Sequence, residues 1–447
     1  MDRRTFVKLG SAAAASITGL PWLIPARALG GDGATAASDR IVMGCIGVGS
    51  MGGGHLRAFL AQKDVQIVAV CDVRELFRGQ AKGLVDQSYA DSGCAAYNDF
   101  RELLGRSDID AVTNVTPDHW HVLISIEAAR NGKHIYCEKP LGMSVAEGKA
   151  LRTAIHRYGV VFQFGTQQRS DERFRQACEI ARNGLFGRLH SVIVGSHIGF
   201  EYPNQPTEPV PDKKEFDYDM WLGPAPWSPY CFARCASRAQ DTPGYWMHIH
   251  DYCLGGLSGA WGIHHIDIAQ WAIGADDTGP VDVWGWGRFP ADGLTDTALA
   301  WRVDHVYPNG VRLIHADRST AASLGEPLKR HGGEGVLLIG ATGWVFVCRD
   351  YIQAHPAGLL EERIGVGGIR LAKSVNHRRN FLDAVRFGGT TISPIDAAVR
   401  SDTVCHLQDI AMRLGERLRW DPVAERFVGS DTANRMLSRP MRSPWRL

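Results

Sequence analysis

The sequence has no surplus of either charge. Its 447 residues carry 49 Lys and Arg against 48 Asp and Glu, a formal net charge of +1. The basic stripe that would track a phosphate backbone is missing, so no nucleic acid is expected as a partner. After residue 28 no apolar run is long enough to cross a bilayer, and the body of the chain reads as soluble. Hydrophobic residues at 45% and charged residues at 22% are the proportions of a globular chain; they exclude a disordered or collagen-like one. A standard zinc spacing is also lacking. Among the ten cysteines only Cys231 and Cys235, with His248, His250 and Cys253, are dense enough to suggest a metal or disulfide cluster. Their spacing fits no known zinc pattern, and no metal is expected. Cys45, Cys71 and Cys137 lie in apolar runs and read as small core residues.

The start of the chain differs from the rest. Arg3 and Arg4 are followed by Phe6 and Lys8, then by an uncharged stretch from Leu9 to Pro25, then by Ala26-Arg27-Ala28. A charged start, an apolar middle and a small-residue end make residues 1–28 an export signal. The paired arginines resemble the twin-arginine (Tat) type, with an N-terminal anchor as the alternative. That resemblance implies the Tat machinery as a partner, a periplasmic or otherwise exported location, and folding around any cofactor before export. Removing the signal takes four basic residues and one acidic one, leaving a net charge of about −2.

Glycine is plentiful, at 50 residues, and tryptophan generous, at 13. The length allows two or three domains. An apolar run at 40–47 feeds directly into Gly47-Val48-Gly49-Ser50-Met51-Gly52, a helix through Leu60 follows, and a second β-branched run at 65–71 ends at Asp72. This strand–turn–helix–strand context gives the glycine pattern its meaning. Gly47 serves the tight turn, Gly49 the close approach to a pyrophosphate and Gly52 the helix–strand packing, while Ser50 and Met51 open the helix against the phosphate. Asp72 is placed to accept the ribose hydroxyls, which favours NAD; Arg74 nearby keeps NADP open. Further alternation gives strands at 109–115, 134–137 and 160–164 and helices at 121–131 and 146–158, so residues 39–160 read as a dinucleotide-binding domain. Ligands gather beyond the carboxyl ends of such strands, where Thr116, Pro117, Glu138 and Lys139 fall. His119 and His121, close by, read as packed.

From residue 189 the pattern changes. Strands are expected at 189–198, 281–289, 298–306, 311–316, 335–339 and 344–348. The later ones follow one another without helices, as in an antiparallel sheet. Residues 201–246 hold eight of the 21 prolines, with Trp221, Trp227 and Tyr230, and read as a long irregular loop able to stack on sugar rings. Helices are expected at 376–387 and 396–418.

GVGSMG at 47–52, TPDHWH at 116–121, CEKPLG at 137–142, GTQQRS at 165–170, WGIHHIDIAQW at 261–271 and NHRRNFLDAV at 376–385 together resemble the Gfo/Idh/MocA family, named for glucose–fructose oxidoreductase and inositol dehydrogenase. The resemblance implies an α/β chain: an N-terminal Rossmann domain, then a C-terminal α+β domain at 161–430 with a large, mostly antiparallel open sheet. It implies a homo-oligomer joined through that sheet, with terminal helices returning to the Rossmann domain. It also implies an NAD(P)-dependent oxidoreductase acting on a hydroxyl carbon of a sugar, cyclitol or glycoside. Lys139 would sit at the reacting hydroxyl, His264 would serve as acid/base, and Glu138 would orient the nicotinamide end. Gln167, Arg169, His265 and Asp267 are the expected substrate contacts. One position departs from the family. Many members carry an aspartate four residues before the histidine, and here that residue is Ala260. Either Asp267 or Asp251 replaces it, or His264 works alone, or the chemistry is redox-assisted glycoside cleavage. A non-catalytic sugar- or nucleotide-binding relative is the remaining alternative.

Overall fold

The structure, a computed structural model, describes residues 36–240 and 244–447. The export segment 1–28 lies outside the described residues. From residue 41 onward the chain forms one compact unit built on two sheets.

The first sheet holds β1 (Ile41–Ile46), β2 (Val65–Cys71), β3 (Ala95–Tyr97), β4 (Ala111–Asn114), β5 (His134–Cys137) and β6 (Phe162–Phe164) in the order 3-2-1-4-5-6. All its pairings are parallel. The strands are nearly continuous apolar runs because helices cover both faces. Four of those helices are α1 (Ser50–Leu60), α2 (Glu75–Tyr89), α3 (His121–Arg130) and α4 (Val145–Tyr158). Strand order reverses between β1 and β4, so a crevice opens past their carboxyl ends. β6 belongs to this sheet, which therefore runs beyond the expected boundary at residue 160. Helix α5 (Glu172–Arg182) then leads into the second sheet.

That sheet has nine strands: β7 (Leu189–Ser196), β8 (Asp282–Arg288), β9 (Ala300–Val306), β10 (Arg312–Asp317), β11 (Gly335–Gly340), β12 (Trp344–Cys348), β13 (Tyr351–His355), β14 (Leu418–Asp421) and β15 (Arg426–Val428). Their order is 13-12-11-7-10-9-8-14-15. Only the β7–β10 pair is parallel; the other neighbours run antiparallel. Helix α6 (Gly262–Ile273) sets Ile263 and Ile266 against Val192, Val194 and Leu313 of one face. On the opposite face Leu328 packs with Ile193, Ile314, Leu337 and Phe346, while Trp286 is 49% exposed.

Two C-terminal helices return to the Rossmann half. Helix α7 (His377–Phe387) places Phe381 among Phe59 and Tyr136. Helix α8 (Ile395–Leu414) brings Ala398 and Val399 to the core that holds Leu151 of α4. The expected helix at 396–418 ends sooner, because Gly415 turns left-handed at φ +65° and caps it; the chain then enters β14 at Leu418.

Residues 201–246 do form a long connection, yet a packed one. Phe216, Tyr218, Trp221, Leu222 and Tyr230 make a small core with Tyr252 and Ile249. Trp227 alone of the three noted aromatics is left out, at 66% exposure.

A buried charge cluster joins the halves. Arg169, just past β6, gives paired hydrogen bonds to Asp267 of α6 (2.7 and 2.8 Å) and to Asp276 (2.9 and 2.7 Å). Ser401 of α8 donates to the same Asp267 at 2.8 Å. Arg169 is 2% exposed and Asp267 0%, so losing either would leave a charge stranded in low dielectric. Arg169→Met is expected to destabilise the fold by roughly 3–5 kcal/mol in urea unfolding. A loss under about 1 kcal/mol would show that the cluster does not hold the halves together.

Candidate active site

The crevice is built from the end of β1. Gly47 adopts φ +74°, and a Cβ there would stand 2.5 Å from the Val115 carbonyl. A Cβ on Gly52 would stand 1.9 Å from the Gly47 carbonyl, so the turn closes onto α1 only with glycine at both positions. Gly49, Ser50 and Met51 line the crevice. The first turn of α1 has no side-chain cap and no acidic residue, which leaves its amides and positive dipole end free for a phosphate. The Asp72 carboxylate accepts the Val48 and Arg74 amides, each at 2.9 Å. Burial raises its pKa against the pull of those two bonds. The Arg74 guanidinium is engaged elsewhere, donating to the Cys235 carbonyl at 3.1 Å and lying 3.6 Å from the Phe216 ring centre. It thus secures the 201–246 connection over the crevice and is not held out toward a 2′-phosphate. Glycine cradle, uncapped helix and ribose-facing acid fit NAD.

The other wall is centred on Glu138. Its Oε1 accepts His55 Nε2 at 2.9 Å and Gln167 Nε2 at 2.6 Å, and its Oε2 accepts the Lys139 amide at 3.1 Å. Arg378 of α7 donates to His55 Nδ1 at 3.0 Å, so the imidazole proton sits on Nε2, facing Glu138. Burial would push the Glu138 carboxyl up, yet its bond with His55 and the nearby positive charges hold it well below the usual range. Lys139 Nζ donates to the Gly259 carbonyl at 2.6 Å. Asp118 lines the same crevice as Glu138, Lys139 and Ala260. It is 3% exposed, with no hydrogen-bond partner on Oδ2. A Cβ on Gly259 would meet that oxygen at 2.1 Å, so the glycine admits the carboxyl beside the carbonyl that anchors Lys139. Burial lifts the Asp118 pKa to about 7, against the pull of Lys139. His264, four residues past Ala260, is 4% exposed and its Nδ1 has no partner. Burial first, then the charges of Lys139 and Arg349, press its pKa well below the ordinary value, so it stands as a neutral base.

The residues expected from sequence fall into two groups. Gly47, Gly49, Ser50, Met51, Gly52, Asp72, Thr116, Pro117, Glu138 and Lys139 line one crevice. Gln167 joins it through Glu138 and the Tyr136 hydroxyl, whereas His264 is absent from the lining and sits buried on α6, within the electrostatic reach of Lys139 and Glu138. Arg169 and Asp267 do not face it, contrary to expectation: they pair with each other in the core, Asp276 taking further Arg169 donors and Ser401 bonding to Asp267. His265 is turned away too, its Nδ1 on the Gly195 carbonyl of β7 at 3.0 Å. Neither Asp267 nor Asp251 lines the crevice. His119 and His121 are packed, bonded to the Trp221 carbonyl and to the Pro140 and Thr116 carbonyls. Cys231, Cys235 and Cys253 are buried free thiols. Among the described residues no cluster of His, Cys, Asp or Glu is gathered to hold a metal ion. Asp118, His55 and Arg378 were missed, although the TPDHWH and NHRRNFLDAV stretches contain two of them.

Two family profiles match the chain. One is described as an oxidoreductase family with an NAD-binding Rossmann fold and covers residues 41–166. The other, described as the C-terminal alpha/beta domain of that family, covers 172–325 and 369–447. An uncharacterized oxidoreductase, YrbE, of Bacillus subtilis is 34% identical over 161 residues, 36% of this chain and 45% of that protein. A glycosyl hydrolase family 109 protein of Saccharopolyspora erythraea is 35% identical over 159 residues, 33% of this chain and 35% of that protein. The match thus spans less than half of either curated relative. Scyllo-inositol dehydrogenase of Lactobacillus casei, solved with NAD(H) and scyllo-inositol, superposes at TM-score 0.56 with 16% identity, covering 85% of this chain and 99% of that one.

Asp118 sets a pH test. An acid whose folded pKa lies above its unfolded one costs stability as pH rises from about 4 to about 7, and the cost stays constant above that. Asp118→Asn is expected to be more stable than the native chain by roughly 2–4 kcal/mol at pH 8, and by far less at pH 4.5. Urea unfolding at both pH values checks this; a difference independent of pH would contradict it.

Proposed function

The chain belongs to the Gfo/Idh/MocA family of NAD-binding oxidoreductases, and from that premise we propose that it transfers hydride from or to a hydroxyl carbon of a sugar, cyclitol or glycoside. The carrying observation is the convergence of Lys139, Glu138 and Asp118 on the crevice, with neutral His264 four residues past the lining residue Ala260 and under the influence of Lys139 and Glu138. Gly47, Gly49, Gly52 and Asp72 would hold the nucleotide, and when bound it supplies a hydride acceptor or donor.

The protein's own groups handle orientation and the proton. Glu138 commits its oxygens to His55, Gln167 and the Lys139 amide, and so fixes where Lys139 begins. Lys139 is tethered by one N–H to Gly259 and has its others left for a substrate oxygen, where it stabilises developing alkoxide charge. His264 has a free ring nitrogen to take the hydroxyl proton. No carboxyl takes the place of the one missing at Ala260 beside His264; Asp118 lines the same crevice near Lys139 and, with its pKa lifted to about 7, can exchange a proton near neutral pH.

Lys139→Ala and His264→Ala are each expected to lower kcat/KM at least ~100-fold on the sugar or cyclitol that gives the highest wild-type rate of NADH formation. Unchanged turnover in either variant would remove that residue from the assignment. Redox-assisted glycoside cleavage is the second reading, favoured by the family 109 relative and by Ala260. Release of aryl alcohol from an aryl glycoside without NADH accumulation would select it.

Export by the Tat route and pairing of copies through the outer sheet face complete the proposal. The Arg3-Arg4 signal supports the first, and the exposure of Trp286 supports the second. A purely cytoplasmic location in cell fractionation, or a monomer in sedimentation, would remove the corresponding part.

A further inference from the structure

The segment 326–368 lies between the two stretches matched by the C-terminal family profile, yet it carries a cation to the tryptophan whose ring abuts His264. β12 and β13 are antiparallel neighbours joined through Arg349 and Asp350, the latter left-handed at φ +66°. The turn separates the two side chains. Asp350 pairs with Arg173 at 3.3 Å. Arg349 points to Trp261, its guanidinium carbon 4.2 Å from the ring centre. Trp261 leads into α6, and its ring lies 5.8 Å from that of His264.

This cation has no carboxylate of its own. Among the described residues none stands within ion-pair distance of it; of the acids whose charge reaches it, Asp350 is turned to Arg173 at 3.3 Å, Glu138 is held by His55 and Gln167, and Glu334 lies 3.4 Å from His197 and 3.7 Å from Arg318. Its charge is felt at His264 and His265, and Glu138 acts on it in return. Stacking on an aromatic face fixes the guanidinium plane and leaves its edge donors free, the geometry that receives an oxyanion through paired bonds. A neutral sugar covering Arg349 would take water from a cation left only the distant fields of Glu138, Asp350 and Glu334, whereas an oxyanion in direct contact offsets the cost.

We propose that Arg349, braced on Trp261, is a specificity residue that binds an oxyanion on the substrate, so that the preferred ligand is an acidic sugar, carboxylated or phosphorylated, with its reacting hydroxyl toward Lys139. The inference rests on the oxidoreductase reading of the site and adds the charge of its substrate.

The test uses the full chain loaded with NADH. D-glucuronate, D-galacturonate, D-mannuronate, their parent hexoses and the hexose 6-phosphates are titrated in, with nicotinamide fluorescence as the readout. At least one acidic probe is expected to bind about tenfold or more tighter than its neutral parent. Preference for a uronate assigns a carboxylate; preference for a 6-phosphate assigns a phosphate ester. Arg349→Met should erase the preference, Arg349→Lys should keep part of it, and thermal melting shows whether each variant is folded. Equal binding of acidic and neutral probes, or a preference that survives in folded Arg349→Met, overturns the proposal and leaves the oxidoreductase reading intact. Failure of every sugar, acidic or neutral, to bind the loaded protein overturns the sugar reading and this proposal with it.

Discussion

Burying the Glu138 carboxylate is the constraint on which the site depends. A carboxylate taken out of water must find its hydrogen bonds inside the protein, or protonate. Glu138 finds them in α1 through His55, in the segment after β6 through Gln167, and in its own successor's amide. His55 is itself set by Arg378 from the C-terminal helix α7. One acid at the end of β5 therefore specifies where three distant pieces of chain meet. Because Lys139 is the next residue, its ammonium starts from a fixed point and needs only the Gly259 carbonyl to be aimed.

The nucleotide side is built in the opposite way. There the structure removes matter: side chains at Gly47 and Gly52 would collide with backbone, and the helix amides stay uncapped. One cation of the lining is committed to packing. Arg74 lies on Phe216 and bonds to Cys235, so a cation that would otherwise be free to read a phosphate instead holds the connection covering the crevice. The crevice is thus closed by packing on one side and furnished with titratable groups on the other.

Much of this was readable from residues. The glycine turn could be recognised because a strand preceded it and an acid ended the next strand. β3 and β15 could not be: each is three residues long and largely uncovered, without the wholly buried apolar run that made the equally short β6 legible. Arg169 and Asp267 were expected at the substrate because their motifs border the cleft. In the fold they neutralise each other, a pairing between residues almost a hundred positions apart that no local pattern discloses. The Ala260 departure raised the question of a replacement acid, and sequence offered Asp267 and Asp251. Neither lines the crevice; the acid that no motif reading singled out and that does line it is Asp118, admitted where Gly259 leaves room beside the carbonyl that anchors Lys139. Arg349 had no motif at all; its place is set by hairpin pairing across β12 and β13.

The central claim is that the glycine turn, Asp72 and the Glu138–Lys139 wall form one NAD site serving hydride chemistry. Mass spectrometry of nucleotide released on denaturing the purified full-length protein, before and after incubation with NAD and NADP, tests it most directly. Release of NAD or NADH approaching one per chain, with NADP taken up poorly, is the predicted result. Protein that neither carries nor takes up any nicotinamide nucleotide would contradict it.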